Sequence, residues 1–267
     1  MQESPPKALA VLLTVALVCS VLVSVSAVVL RPIQEANERI ERYRHIVALT
    51  GLTEPGQALD DSQVEAAIEQ LDVRVIDLDS GAFEDLDPET LDPRRAASDP
   101  DRSIAIPPEA DVARIGRRSR HEVVYLVYGD PAAEAGQSGR FTRLILPIHG
   151  QGMWSTLHGL VALDADLNTI AAVTFYEQEE TAGLGDQIES PAWQARWVGR
   201  RLFGSNGDFR FRIAGGVVDD ESPAATHQVD GLSGATITGN AVTALMSFWF
   251  GPYGYGPLLE RLAAGEQ

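Results

Sequence analysis

Seven residues, Asp230-Gly-Leu-Ser233-Gly234-Ala235-Thr236, place an acid, two hydroxyls and two glycines immediately before an apolar helical pattern. Such a stretch can start a helix: Ser233 accepts from an early backbone N–H, Gly234 eases the turn and Thr236 occupies the first helical turn. It can equally hold a phosphate, because unpaired amides and the dipole at a helix start favour negative charge and Gly234 has no side chain to block approach. In that case the Thr236 hydroxyl lies beside the anion, with Asp230 in a position to assist. A threonine hydroxyl is a weak nucleophile at neutral pH, so a phosphoester there requires activation by a base or metal, supplied by another enzyme. The residues themselves leave both readings open.

Three further segments combine glycine with aromatic, hydroxyl or acidic residues. Tyr176-Glu-Gln-Glu-Glu180-Thr181-Ala182-Gly183-Leu184-Gly185 follows a strand-like run, Gly150-Gln-Gly152-Met153-Trp154 precedes another, and Gly254-Tyr-Gly256-Pro-Leu lies near the C-terminus. Each is also compatible with an ordinary turn, and Trp154 with ordinary packing.

Asp-x-x-Ser-Gly-Ala-Thr resembles the flavinylation signal of bacterial FMN-binding domains, in which a flavin transferase uses FAD to place FMN on the last threonine, here Thr236. The Glu180–Gly185 loop is similar to the Glu-Thr-Pro-Gly-Leu-Gly loop that lies against the flavin in those domains, with Ala182 where proline is usual, which removes a fixed φ angle. Gly150–Trp154 resembles their Gly-x-Gly-Leu-Trp segment. The resemblance therefore implies one covalent FMN on Thr236, with Trp154, Glu180, Thr181, Gly183, Leu184, Asp230, Ser233, Gly234 and Ala235 around it, and no catalytic residue or metal ligand. An apolar wall of Trp154 and Leu184 suits an isoalloxazine, whose potential depends on the polarity around the ring.

With the membrane anchor, the arginine-bearing neck and the Leu86-Asp-Pro…Asp92-Pro-Arg-Arg95…Asp99-Pro excursion, almost the whole chain is similar to the C subunits of the Na⁺-translocating NADH:quinone reductase (Nqr) complexes. That family implies an electron relay between neighbouring cofactors on the path from NADH to ubiquinone, coupled to sodium export. Other membrane subunits and, during maturation, the flavin transferase are the implied partners. It also implies a bacterial inner-membrane protein with its soluble domain in the periplasm. Two alternatives stand beside it: the flavin subunit of an Rnf-type complex, and a membrane-tethered sensory or interaction domain whose Ser-Gly-Ala-Thr stretch only caps a helix.

The elements that must position these residues follow from pattern. Residues 8–30 carry no charge and no proline, a run long enough to cross a hydrocarbon core of about 30 Å at ~1.5 Å per residue. A transmembrane helix is expected after the 1–7 tail; a cleaved signal peptide competes with it, since Ser24, Ser26 and Ala27 offer small residues near the end. Residues 31–50 form a helical neck, with Ile33, Ala36, Ile40, Ile46 and Val47 among alternating charges. Arg31, Arg39, Arg42 and Arg44 outnumber Lys7, so the positive-inside rule keeps the soluble domain in the cytoplasm, against the family's periplasmic placement.

The soluble part divides at sequence level into residues 51–135, including an exposed Asp/Pro-rich excursion at 79–108, and an FMN-binding domain at 136–267. After a break at 51–56, a short helix is expected over 61–71, capped by Asp61 or Ser62, and strands over 73–78, 122–128, 140–148, 157–162, 169–176 and 210–213. A helix over 191–203 puts Trp193 and Trp197 on one face, and 237–250 is the last helix, ended by Gly251-Pro252. The fold class is α+β: one N-terminal transmembrane helix and a mainly antiparallel sheet flanked by helices.

Several classes are excluded. A net charge of −17 opposes nucleic-acid binding. The single cysteine, Cys19, lies in the apolar run, so the soluble part has neither a disulfide nor a thiolate metal site. His45, His121, His149, His158 and His227 lack metal-ligand spacing and are expected at the surface or in structural roles. No Gly-x-Gly-x-x-Gly follows a strand, which argues against an NADH site in this chain.

Overall fold

The computed structural model describes residues 5–52, 59–129 and 141–265, the side chains of 5, 8 and 32–39 excepted. The chain separates into two compact units, Met1–Arg44 and His45–Gln267. Helix α1 (Pro5–Thr50) is continuous and includes the apolar span Leu9–Arg31, which has the length and composition to cross a membrane. The neck residues Ile33 and Ala36 have side chains outside the described set. In the second unit the end of α1 buries Ile46, Val47 and Leu49. The Arg143 guanidinium donates to the Leu49 carbonyl at 2.8 Å, satisfying one of the acceptors that a helix C-terminus leaves open. Gly51 then takes φ +73°, and part of the expected 51–56 break lies outside the described residues.

Helix α2 (Asp61–Ile68) starts at the expected residue but ends three short of the expected 71, since Leu71 opens the first strand. Asp60, not Asp61 or Ser62, is the N-cap, because Gln63 stands three residues on and closes a capping box with it. Six strands form one antiparallel sheet in the order β2 (Phe83–Glu84), β1 (Leu71–Asp77), β5 (His121–Tyr128), β6 (Phe141–Gln151), β7 (Thr156–Asp164) and β8 (Ile170–Glu177). The sheet runs across the expected 135/136 division, whose own residues lie outside the described set.

The 79–108 stretch is more ordered than an exposed excursion. It contains β2, the helix α3 (Pro93–Ala97), capped by Asp92 with proline at its first turn, and β3 (Ser103–Ala105), which pairs with β4 (Arg117–Ser119). Its Asp-Pro pairs are therefore helix-start and turn signals. The expected 191–203 helix is cut short to α4 (Pro191–Gln194) and a 3₁₀ turn, Ala195–Trp197. Gly199 at φ +80° turns the chain back so that its N–H and the Arg200 carbonyl both bond to Ile170 on β8. The two tryptophans still meet edge to face at 5.3 Å, and Trp197 also packs on Phe175 and Phe211.

Two short parallel strands, β9 (Arg212–Ile213) and β10 (Gln228–Val229), lead to helix α5 (Thr236–Trp249) and the C-terminal α6 (Gly256–Ala263). Helix α5 buries Ala241, Val242, Leu245, Met246, Phe248 and Trp249, at about 1.5–3 kcal/mol for each large side chain. At its end Trp249 donates to the His149 carbonyl at 2.6 Å, and the buried Tyr255 hydroxyl donates to Pro147 at 2.6 Å, so both rings are tied to β6. The Gly254-Tyr-Gly256 segment is the tight turn between the helices: a Cβ on Gly254 would lie 2.3 Å from the Trp249 carbonyl oxygen.

His149 and His158 stack across β6 and β7 with ring centroids 5.5 Å apart. Burial lowers His149 to about 3, helped by His158 and Arg94, and lowers His158 to about 4, helped by Arg94 and opposed by Glu177. Both lie below the ordinary 6.5, so from about pH 6.5 downward the unfolded chain takes up protons that the folded chain refuses. Stability therefore falls as pH drops through this window. A melting temperature that declines between about pH 7 and pH 5, and declines less in His158→Gln, is the expected result.

Candidate functional site

The loop ends of the sheet and the start of α5 meet at one place. β6 and β7 are joined by the hairpin tip Gly152-Met153-Trp154-Ser155, since Gln151 pairs with Thr156. The end of β8 lies at the same edge, because His158 pairs with Glu177, and so the 178–185 loop emerges beside that tip. Of the glycine-bearing segments, all except the Gly254 turn come together here.

A single carboxylate joins them. Glu180, 7% exposed, accepts with Oε1 from the backbone N–H groups of Met153 at 2.9 Å and Trp154 at 3.1 Å, and with Oε2 from the Thr238 hydroxyl in the first turn of α5. The Trp154 indole N–H donates to Thr181 Oγ1 at 3.1 Å. The glycines of the motifs make this closure possible. A Cβ on Gly152 would sit 2.6 Å from Glu180 Oε1, and one on Gly185 would sit 2.8 Å from both Glu180 Cβ and Thr238 Oγ1. Gly150, two residues back, gives room to α5 instead, where a Cβ would lie 2.8 Å from Leu245.

The Ser233–Thr236 stretch does not cap α5. Ala235 is the N-cap residue and offers no side-chain bond; Ser233 is exposed, and the first amide with an internal partner is Gly239, bonded to the Ala235 carbonyl at 3.0 Å. This overturns the cap reading for Ser233: the N-cap falls two residues later, after Gly234 at φ +76°, and no side chain bonds to the helix start. Thr236 is exposed at the first helical position, while Thr238 faces inward. A Cβ on Gly234 would come within 2.9 Å of Leu184, so the 184 loop lies directly against the turn before Thr236. Around that threonine the protein leaves Trp154 64% exposed and Met153, Leu184 and Ile237 partly exposed, an apolar grouping at the mouth of an uncapped helix.

Asp230 serves the loop rather than the threonine. Its Oδ1 accepts from the Val218 N–H at 2.7 Å and its Oδ2 pairs with Arg196, so both oxygens are committed inside the fold. The Asp230 carbonyl also accepts from Trp193 Nε1 at 2.9 Å. Gly183, at φ +76°, forms the bend of the 181–184 turn, in which Leu184 N–H bonds to the Thr181 carbonyl at 3.0 Å. Among the described residues no cluster of histidine, cysteine and acidic groups is arranged for a metal. Sequence reasoning misses Thr238, whose only signal is a second threonine two residues after the motif, and Arg196, which has no local signal at all.

Residues 152–250, which contain Trp154, the Glu180–Gly185 loop and the Asp230–Thr236 stretch, match the family described as FMN-binding domain. The fold and site thus define a flavoprotein domain whose cofactor is FMN, behind one helix long and apolar enough to span a membrane. The chain is 45% identical to the C subunit of the Na⁺-translocating NADH-quinone reductase of Pseudomonas aeruginosa, over 99% of this chain and 98% of that one. It is 38% identical to the protein of the same name from Vibrio alginolyticus, over 99% and 97%. The crystal structure of Shewanella oneidensis NqrC superposes with a TM-score of 0.75 at 33% identity, covering 86% of this chain and 99% of that one. The chain belongs to the NqrC family, the C subunits of the Na⁺-translocating NADH-quinone reductases.

The closeness of the two loops to Glu180 makes a steric prediction. Gly185→Ala inserts a methyl group against the Glu180 and Thr238 side chains and should destabilise by about 1–3 kcal/mol. The thermal midpoint should then fall by several degrees relative to wild type, whereas Gly183→Ala, which meets no atom within 4 Å, carries only the backbone cost of its positive φ.

Proposed function

We propose that this chain carries one FMN as a phosphoester on the Thr236 hydroxyl and relays electrons between cofactors of neighbouring subunits. The path is that from NADH to ubiquinone, coupled to sodium export. The supporting observation is that Thr236 stands exposed at an uncapped helix start, with Leu184 against the adjoining Gly234 turn and Trp154 held to the Glu180 loop. The residues fit the group. The first-turn amides of α5 have the polarity for a phosphate, and no side chain caps them. The exposed side chains of Trp154 and Leu184 have the character to cover a ring. Asp186 Oδ1, in the same loop, is buried without a hydrogen-bond partner in the fold, an acceptor that a donor on the cofactor would satisfy.

Bound FMN supplies the redox chemistry, taking up and giving away electrons one at a time. The protein's share is to hold it. Trp154, Thr181, Gly183 and Leu184 line the side of the hairpin and the 180s loop; Ser233, Gly234 and Ala235 form the turn at the phosphate end; Glu180 and Asp230 act by fixing those segments. In this reading the flavin-carrying portion is 136–267, the NADH site, the quinone site and the ion path belong to other subunits, and the chain is a carrier without catalytic residues of its own. A flavin transferase installs the cofactor, since a threonine hydroxyl needs activation and Asp230 is committed elsewhere.

The soluble domain is assigned to the periplasm. Arginines interleaved with glutamates on a folded neck weigh little against assembly with other membrane subunits, and a covalent tether prevents loss of a cofactor that is scarce outside the cytoplasm.

Intact mass after denaturation is the direct test. Co-expressed with the transferase, the wild-type chain should gain the mass of one esterified FMN and give a fluorescent band on a denaturing gel, and Thr236→Ala should show neither while melting cooperatively. A flavin that persists in the Thr236→Ala protein would move the attachment elsewhere. Orientation is tested separately: protease added to intact spheroplasts should remove the soluble domain, and protection of that domain would put it in the cytoplasm.

A further inference from the structure

The sequence Thr236-Ile-Thr238 places two hydroxyls two residues apart on α5, about 200° around the helix from one another. One is exposed; the other is 2% exposed and given to Glu180. The same carboxylate holds the backbone of Met153 and Trp154 from the opposite oxygen. A single buried side chain therefore spans from the helix that begins at Thr236 to the hairpin that carries Trp154, with no flexible atom between the two sets of bonds except the carboxylate itself. The Thr181 hydroxyl, next along the chain from Glu180, takes the indole N–H of Trp154 and sets the ring's angle.

We infer that Glu180 and Thr238 are positioning residues that lock the Trp154 indole to the start of α5, so that a flavin esterified at Thr236 has one fixed orientation against that ring. This rests on the assignment of the flavin to Thr236. An ester through a threonine side chain leaves several rotatable bonds between helix and ring, so attachment alone prevents loss of the cofactor without orienting it. Orientation must come from a wall, and a wall on a hairpin tip is only as fixed as its connection to the helix. Without the Thr238–Glu180 bond the tip and the helix start remain joined through non-directional packing, that of Leu184 at the Gly234 turn and of β6 on α5.

The arrangement also accounts for the choice between the two threonines. Thr238 has its oxygen buried against Glu180, within 2.8 Å of where a Cβ on Gly185 would stand, and so offers no approach to a modifying enzyme.

The experiment uses the full chain co-expressed with a flavin transferase, comparing wild type, Thr238→Val, Thr238→Ser and Thr238→Ala. Intact mass reports attachment, visible circular dichroism and flavin fluorescence report orientation against the indole, and thermal melting reports stability. Thr238→Val should still carry the FMN increment but lose the visible circular-dichroism signal and gain flavin fluorescence as the indole no longer quenches it; Thr238→Ser should restore both. Flavinylated Thr238→Val with wild-type dichroism and fluorescence, whatever its melting temperature, overturns the inference and leaves the pair a purely structural contact. If Thr238→Val does not accumulate, Thr238→Ala, which also removes the hydroxyl bonded to Glu180, is read in the same way: altered dichroism and fluorescence support the lock, and wild-type spectra overturn it. A wild-type chain lacking the mass increment sinks the assignment of Thr236 itself and the inference with it, a failure the mass distinguishes from the spectroscopic one.

Discussion

A carboxylate removed from water has to find hydrogen-bond donors inside the protein, since an unpaired one costs several kcal/mol. Glu180 meets this requirement with donors from two other segments, the hairpin amides of Met153 and Trp154 and the hydroxyl of Thr238. These segments lie far apart in sequence and converge only because the sheet brings the β6–β7 tip and the end of β8 to one edge while α5 packs along β6. The demand of that one group thus couples sheet, loop and helix. It also dictates composition nearby: Gly152 and Gly185 are bare because the carboxylate and its threonine partner occupy the space a methyl group would need.

The polar contacts around the site fall into two kinds. Glu180 and Asp230 are internally satisfied and hold backbone in place, the first between hairpin and helix, the second between the Val218 loop, Arg196 and the turn leading to Ser233. Ser233 and Thr236, by contrast, are exposed and leave the helix start open. Rigidity is thereby concentrated in the buried residues of the motifs, and availability in the exposed ones. A redox carrier needs both, because a cofactor fixed in distance and angle to its partners requires a stiff mount, while its attachment requires an accessible atom.

Much of the framework is legible in the sequence because it follows from periodicity. The apolar N-terminal run, five strands of the sheet and α5 all lie within a few residues of their expected limits, since alternation and helical spacing report burial directly. The departures share a cause as well. Helical spacing runs on through Val198-Gly199, where pairing with Ile170 overrides local propensity, and the Asp/Pro stretch has the composition of solvated charge although Asp92 caps a helix. The site is legible as motifs but not as connections. Nothing in the spacing of Glu180, separated from Thr238 by 58 positions, announces that the two side chains touch. A resemblance names which residues belong together; only the fold says which of them support the others.

The open start of α5 carries its own argument. Ser233 and Thr236 are residues with which proteins commonly cap helices, and a side-chain cap is worth about 1 kcal/mol. Here the serine is exposed, Gly234 beside it is in a left-handed conformation, and the N-cap position falls to an alanine, which cannot accept a hydrogen bond through its side chain. The chain thus forgoes a cap for which it has the residues at hand, at a helix that is otherwise among its best buried elements. Local consistency is broken in this way mostly where another demand competes with folding. A phosphate at the same amides would provide the acceptors the side chains withhold, so under the proposed attachment at Thr236 the missing cap and the exposed threonine would be two consequences of one arrangement.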